Sequence, residues 1–163
     1  MAKYYANQVI KSKALESHHR VDSGREYQRF LTGVLGEIAI EEYLNCEIVD
    51  WSIGNSNIYN VADLGCIGID VGVKTVEYGN FPVIHKQVKR PEIINLKISD
   101  KEILICGVAT ISNMLQYRND NLIKSPALRR RGTKTGFYGF KELKQFDDII
   151  ELKAITGDIF NYA

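Results

Sequence analysis

The run EILICGVATI, residues 102 to 111, is continuously apolar and rich in β-branched side chains. A strand with one solvated face alternates apolar and polar residues, whereas a run without alternation is typical of a strand covered on both faces. We therefore predict a central strand here. The fold of this chain should be built around a sheet whose middle lies inside the protein.

Helical periodicity precedes this run, and several shorter strands are expected between the two. Residues 25 to 44 repeat apolar side chains at three- and four-residue spacing, through Phe30, Leu31, Val34, Leu35, Ile38 and Ala39. Residues 4 to 17 also look helical, and the segment 141 to 150 resembles a short helix. Strands are predicted at residues 46 to 53, 58 to 65, 69 to 78 and 81 to 88. Because the links between the last three are too short for a parallel crossover, an antiparallel meander is expected.

Composition limits the class of protein. The chain has 163 residues, of which 45% are hydrophobic and 25% charged, as expected for one globular domain spanning residues 1 to 163. No apolar run approaches the roughly 20 residues that cross a bilayer, and the N-terminus lacks a secretory signal, so we predict a cytoplasmic protein without a membrane partner. Cys46, Cys66 and Cys106 form no CxxC pair, which argues against a disulfide framework or a zinc knuckle.

The stretch VADLGCIGIDVGVKTVEYG, residues 61 to 79, places charged residues within apparent strands. Side chains alternate along a strand, so Asp70, Gly72 and Lys74 should share one face, and Asp63 on the preceding strand could lie near it. Two carboxylates held close together repel unless a cation lies between them, and Mg²⁺ prefers carboxylate and water oxygens. The alternative is a salt bridge between Lys74 and one aspartate at a sheet edge.

Glu37 is a third carboxylate of interest. It follows the helical spacing of Val34 and Ile38, which aims it toward the core side of the predicted helix, although a solvated position at the boundary is the alternative. Gly33 and Gly36 lie in the same helix, where each costs about 1 kcal/mol relative to Ala. Close approach of the helix to the sheet would compensate for that cost.

These residues resemble the PD-(D/E)XK nuclease superfamily, and small phage-encoded members in particular. The resemblance covers about residues 29 to 111 and rests on LGE in the helix, one strand aspartate, the VKT strand end and the apolar ILICGVAT strand. It implies a restriction-endonuclease-like α/β (α+β) core, with a central mixed β-sheet flanked by helices. It also implies a metal-dependent DNA endonuclease, acting in a host cytoplasm if phage-encoded, in which Glu37, Asp63 and Lys74 are catalytic.

The chain departs from the superfamily pattern at Gly72, where an acid normally stands two residues before the lysine. Either Asp70 has taken over as the second ligand, helped by a bulge, or the metal site is impaired and the domain binds without cutting. We favour Asp70. The resemblance then implies Mg²⁺, or Mn²⁺, held by Asp63, Asp70 and Glu37, with Lys74 orienting the attacking water or stabilising charge on the phosphate.

Basic residues follow the expected site, and a local patch can bind nucleic acid in a chain whose net charge is only +1. They are Lys86, Lys89, Arg90, Arg129, Arg130, Arg131 and Lys134. We predict contacts with the DNA phosphate backbone, while a solvated charge run is the alternative. Cutting both strands would favour a homodimer. Two other functions stay open. One is a silent nuclease-like domain that binds DNA or a host protein, as a phage counter-defence or regulatory factor. The other is a structural protein whose acids and lysine merely pair.

Overall fold

The computed structural model describes residues 26–51 and 61–157, so the helix expected at residues 4 to 17 lies outside the described residues. The helices are α1 (Glu26–Leu44), α2 (Ile111–Gln116), α3 (Pro126–Arg131) and α4 (Ile149–Gly157). The strands are β1 (Gly72–Glu77), β2 (Val83–His85), β3 (Glu92–Ser99), β4 (Glu102–Ala109), β5 (Arg118–Asn119) and β6 (Lys134–Phe137). None of the described helices has the length and apolar character needed to cross a membrane.

The strands form two small sheets. The first has the order β1-β3-β4, in which β1 and β3 are parallel and β3 and β4 antiparallel. The second is antiparallel with the order β2-β6-β5. The protein is thus an α+β fold with a mixed sheet and flanking helices, which agrees with the predicted class at that level.

The first sheet is covered on both faces. On one face, Ile40 and Leu44 of α1 belong to the same buried cluster as Ile93 of β3. On the other face, Ile94 of β3 clusters with Ile84 of the second sheet. Phe137, Met114 and Ala109 complete that second cluster. Helix α1 and the second sheet therefore sandwich the first sheet, and each layer buries apolar area that stabilises the fold.

The predicted central position of the apolar run is wrong. The apolar run at 102 to 111 forms β4, which lies at an edge of the described sheet, while β3 is central. The end of β4 is covered by both layers, with Val108 and Ala109 fully buried, whereas Leu104 is 52% exposed. The apolar run is therefore explained by the layers that cover both faces of β4, and it does not require a neighbouring strand on each side of β4. Lys144 partly protects the outer edge through an isolated bridge to Val108.

The expected meander is also wrong, because β2 leaves the first sheet and pairs with β6. Residues 61 to 71 form turns and a 3-10 helix at Gly65–Ile67 where strand was expected. Leu64 O accepts hydrogen bonds from Ile67 N and Ile69 N, at 3.1 and 3.2 Å, so local turns satisfy the backbone. Residues 46 to 51 are likewise not a strand, and α4 begins only at Ile149.

A buried lysine ties α1 to the far end of β1. Lys97 Nζ lies 2.8 Å from Glu77 Oε1 and 3.0 Å from Asp100 Oδ1, and Thr32 Oγ1 of α1 donates to the same glutamate at 2.9 Å. Burial alone would lower the pKa of Lys97, but its hydrogen bonds with the two carboxylates raise it above the ordinary lysine value. These contacts hold the lysine charged on the helix-covered face of the sheet.

Candidate active site

Asp63 lies at the outer edge of β1. One carboxylate oxygen, Oδ2, accepts a hydrogen bond from Val73 N at 2.5 Å, so a side chain satisfies an edge N–H of the strand. Burial raises the pKa of Asp63; the Val73 N–H and the Lys74 charge oppose that rise, and the Glu92 charge adds to it. The net result is a raised pKa. Asp63 is therefore a partly buried carboxylate held rigidly among other charged groups.

Glu92 occupies the space beside Gly72. The two residues are Cα partners across the parallel β1–β3 pair, so their side-chain positions lie on the same face. A Cβ built at Gly72 would lie 3.5 Å from Glu92 Cγ and 3.5 Å from Asp63 Oδ2. Glu92 Oε2 is buried and has no hydrogen-bond partner. A carboxylate of the neighbouring strand thus lies beside the side-chain position that Gly72 leaves empty.

Sequence analysis missed Glu92, although it carried one usable signal. The segment PEIINL, residues 91 to 96, has an acid immediately before a buried apolar strand. Its relevance depends on the parallel register that sets it opposite Gly72, and no local pattern specifies that register.

Glu37 approaches Asp63 from α1. Burial, followed by the charges of Asp63, Glu41 and Asp50, raises the pKa of Glu37 from 4.5 to about 8. The spacing argument therefore placed this carboxylate on the correct side of the helix. Its burial beside like charges is costly unless the group stays protonated or a cation is nearby.

Lys74 stands on the same face of β1 as Gly72, two residues further along. Its Cα partner on β3 is Ile94, which packs toward the second sheet. The Lys74 charge contributes to the lowered pKa values of His85 and Lys134, and it partly offsets the raised pKa of Asp63. The side chain of Lys74 therefore projects from the face of the first sheet that packs against the second sheet.

The structure does not bring Asp70 into this group. The expectation that it shares a strand face with Lys74 is wrong, since β1 begins at Gly72 and Asp70 lies in the preceding turn segment. Its side chain is 74% exposed, and Oδ1 lies 3.3 Å from Arg90 Nε. The reason is a three-residue turn centred on Asp70, in which Val71 N donates a hydrogen bond to Ile69 O at 2.9 Å. The acid on the same face of the sheet as Lys74 is Glu92, on the neighbouring strand.

A divalent cation such as Mg²⁺ needs several oxygen ligands in one place. Among residues 26–51 and 61–157, no three His, Cys, Asp or Glu side chains form a ready-made metal group. The Asp63 charge contributes to the raised pKa of Glu37, and the Glu92 charge contributes to the raised pKa of Asp63. The unpartnered Glu92 Oε2 beside Asp63 is the donor that a hard cation requires. Asp63 and Glu92 therefore offer carboxylate oxygens of the kind that Mg²⁺ and Mn²⁺ prefer.

The titration of Glu37 gives a prediction that needs no DNA. In the folded, metal-free protein Glu37 holds its proton up to about pH 8, whereas its ordinary pKa is 4.5. Between those pH values the folded state binds more protons, so its stability falls as pH rises. Glu37→Gln should remove most of this fall and raise the free energy of unfolding at the upper end by on the order of a few kcal/mol.

Urea unfolding in EDTA across that pH range measures the effect. Glu42→Gln, at an exposed position of the same helix, is the matched control and should keep the wild-type slope. A slope that survives in Glu37→Gln would show that another group titrates.

The predicted DNA-contacting residues are spread over the second sheet and its surroundings. Lys86 is paired with Asp120 at 2.6 Å, Arg90 is paired with Asp70, and Lys134 lies against His85. Lys89 is exposed, and so are the three arginines 129 to 131 in the last turn of α3. Cations at a helix C-terminus also stabilise the helix itself. Lys89 and these three arginines are thus exposed to solvent, whereas Lys86 and Arg90 are paired with aspartates.

Comparisons of the chain with models of known protein families, with curated proteins and with solved structures gave no match.

Proposed function

We propose that this protein is a metal-dependent DNA endonuclease that hydrolyses phosphodiester bonds. The observation that carries the proposal is the placement of Glu92 in the gap beside Gly72, next to Asp63 and on the face that carries Lys74. This supplies the acid that the resemblance requires and the sequence lacks at residue 72. Asp63 and Glu92 would hold the ion, and Glu37 would support it through water.

Each residue has a separate task in this proposal. A bound Mg²⁺ supplies Lewis-acid polarisation of the phosphate and lowers the pKa of an attacking water. Asp63 is fixed by its bond to Val73 N, so little reorganisation is needed when charge develops. The Lys74 ammonium orients the water or stabilises charge on the phosphoryl oxygens.

The arginines of α3 provide a test of the DNA partner. Replacing Arg129, Arg130 and Arg131 with Ala should weaken binding equally across DNA sequences and reduce the slope of log K against log salt by about 0.9 per lost phosphate contact. Fluorescence anisotropy in EDTA at several salt concentrations measures this slope. Because the triple substitution also removes cations from a helix C-terminus, the circular dichroism of the variant is recorded alongside. An unchanged slope in a folded variant would assign the cluster to a solvated surface.

The function itself is tested by incubating plasmid and branched DNA with the pure protein in Mg²⁺, in Mn²⁺ and in EDTA. We expect nicking or cutting with either metal and none in EDTA, and none from Asp63→Asn with either metal. Equal cleavage by that variant would expose a contaminating nuclease and contradict the proposal. DNA binding without cleavage would favour the second candidate, a silent nuclease-like domain, which the absence of an acid at Gly72 supports. If both strands are cut, a homodimer is the expected active form, and sedimentation would detect it.

A further inference from the structure

The second sheet carries a polar cavity that shares no residue with the candidate metal site. Its volume is about 460 Å³, within the range of about 300 to 1,000 Å³ that is usual for small-molecule sites. The end of β2, then β5, the 3-10 turn that follows it and β6 supply the lining, which consists of Lys86, Arg118, Asn119, Asp120, Asn121 and Thr135. None of the six holds the metal or touches the scissile phosphate in the proposed nuclease.

Every residue of this lining has a polar side chain. Lys86 and Arg118 can only donate hydrogen bonds, the ionised Asp120 can only accept them, and the two asparagines can do both. A phosphate group offers acceptors alone, and the Asp120 carboxylate would repel it. A nucleotide offers acceptors on its phosphate and both donors and acceptors on the edge of its base. The lining therefore suits a whole nucleotide better than an isolated phosphate.

Contacts within the protein fix the charged groups of the lining. Lys86 Nζ lies 2.6 Å from Asp120 Oδ2, and Arg118 Nη1 donates a hydrogen bond to Lys86 O at 2.7 Å. Asn119 Oδ1 accepts a hydrogen bond from Asn121 N at 2.9 Å, which holds the turn that carries Asp120. The hydrogen bond from Lys86 is the main cause of the lowered pKa of Asp120, so this carboxyl is ionised at neutral pH. The cations and the acceptor are therefore in position before a ligand arrives.

The buried hydroxyl of Thr135 is a second indication of a ligand. Only 1% of Thr135 is exposed, and no described residue gives its Oγ1 a hydrogen-bond partner of good geometry. The hydroxyl is still close enough to Asp120 to help lower the pKa of that carboxyl. A buried hydroxyl without a full hydrogen bond costs free energy, and a valine of nearly the same shape would avoid that cost. A threonine in the wall of this cavity is explained if its hydroxyl bonds a ligand.

We propose that this cavity binds one unpaired nucleotide of the DNA substrate. Its phosphate binds Arg118 and Lys86, and the edge of its base bonds Asp120, Asn121 and Thr135. This inference rests on the proposed function, since it takes DNA as the partner. A nucleotide must leave the base stack to enter such a cavity, and the free-energy cost of leaving is lowest where the base has no pairing partner. The substrate class is therefore DNA with unpaired nucleotides, such as bulges and branch points.

Binding measured in EDTA tests this proposal without cleavage. Fluorescence anisotropy compares a fully paired duplex with the same duplex carrying one unpaired nucleotide, made with each of the four bases in turn. We expect the wild-type protein to bind the best of the four bulged duplexes about 10-fold or more tightly than the paired duplex. A free deoxynucleoside monophosphate with that base should compete only at far higher concentration, because it lacks the remaining phosphate contacts.

Two variants locate the preference in the cavity. Thr135→Val and Asn121→Ala should each weaken binding to the bulged duplex by about 10-fold and leave binding to the paired duplex unchanged. Thr135→Val should melt at the wild-type temperature or above, because its hydroxyl has no full hydrogen bond to lose, whereas a purely structural hydroxyl predicts a lower melting temperature. Thr133→Val, at an exposed position outside the lining, is the matched control and should behave as wild type.

The other outcomes overturn the proposal. If the wild-type protein binds paired and bulged duplexes equally, or if both variants keep its preference for the bulge, the cavity does not bind an unpaired nucleotide. The nuclease proposal, which metal-dependent cleavage tests, then still stands. If the free nucleotide binds as tightly as the bulged duplex, the cavity is a site for free nucleotides and the assignment to DNA is wrong. If the wild-type protein binds none of these duplexes, both proposals fall together.

Discussion

Replacing Glu92 with Gln should reduce metal-dependent DNA cleavage by about 100-fold or more, the scale seen when one preorganised electrostatic group is removed. The amide keeps the shape of the side chain but is a poorer ligand for Mg²⁺. Asp70→Asn is the control, and it should retain nearly full activity because Asp70 is exposed and pairs with Arg90. The superfamily pattern read from sequence alone predicts the opposite ranking of these two variants.

Metal binding gives a readout that does not depend on catalysis. Titration of Mn²⁺ followed by electron paramagnetic resonance should show weakened binding in Glu92→Gln and unchanged binding in Asp70→Asn. If Asp70→Asn loses Mn²⁺ binding and Glu92→Gln keeps it, Asp70 is the second metal ligand and the assignment of Glu92 is refuted.

A second substitution can return the acid to its usual strand. Gly72 has a backbone that other residues tolerate, and a Cβ there meets its neighbours at ordinary contact distance, 3.5 Å or more. Gly72→Glu combined with Glu92→Gln should therefore recover part of the lost activity, since the carboxylate again lies on the face of Lys74. If the double variant cleaves DNA no faster than Glu92→Gln, position 92 is required for a reason other than supplying a carboxylate beside Asp63.

Gly36→Ala should be the most destabilising small substitution in α1, costing on the order of 3 kcal/mol or more. A Cβ at Gly36 would overlap Thr75 Oγ1 and lie 2.7 Å from Thr75 Cβ, so the helix would have to move away from β1. That movement would also weaken the hydrogen bond from Asn95 Nδ2 to Gly36 O, at 3.4 Å. The free energy of unfolding in urea measures the cost.

Gly33 provides a matched control in the same helix, three residues earlier. No described atom lies within 4 Å of a Cβ built there. Gly33→Ala should therefore increase stability by up to about 1 kcal/mol, because alanine is the better helix former. Equal effects at the two glycines would mean that α1 does not approach β1 as closely as described. The same movement of α1 would displace Glu37, because α1 carries both residues, and DNA cleavage by Gly36→Ala should then fall as well.

The sequence by itself determined the features that depend on neighbouring residues. Apolar side chains at helical spacing predicted a helix at residues 25 to 44, and the structure has α1 at Glu26–Leu44. Two costly glycines predicted close approach of that helix to the sheet, and Gly36 makes that approach against Thr75. The spacing also predicted that Glu37 faces inward. The helix and the inward position of Glu37 follow from a period of 3.6 residues, and the close approach follows from the cost of glycine in a helix; both are visible in the local sequence.

Only the tertiary structure decided which strands are neighbours. A period of two shows which residues of a strand share a face, but it does not specify the partner strand, the direction of pairing or the register. A turn between Ile69 and Val71 places Asp70 at the surface, and the parallel pairing of β1 with β3 sets Glu92 beside Gly72. The departure of β2 to the second sheet brought His85 against Lys134. Such contacts join residues distant in the chain, and their choice depends on the burial of the whole core, which no local pattern records.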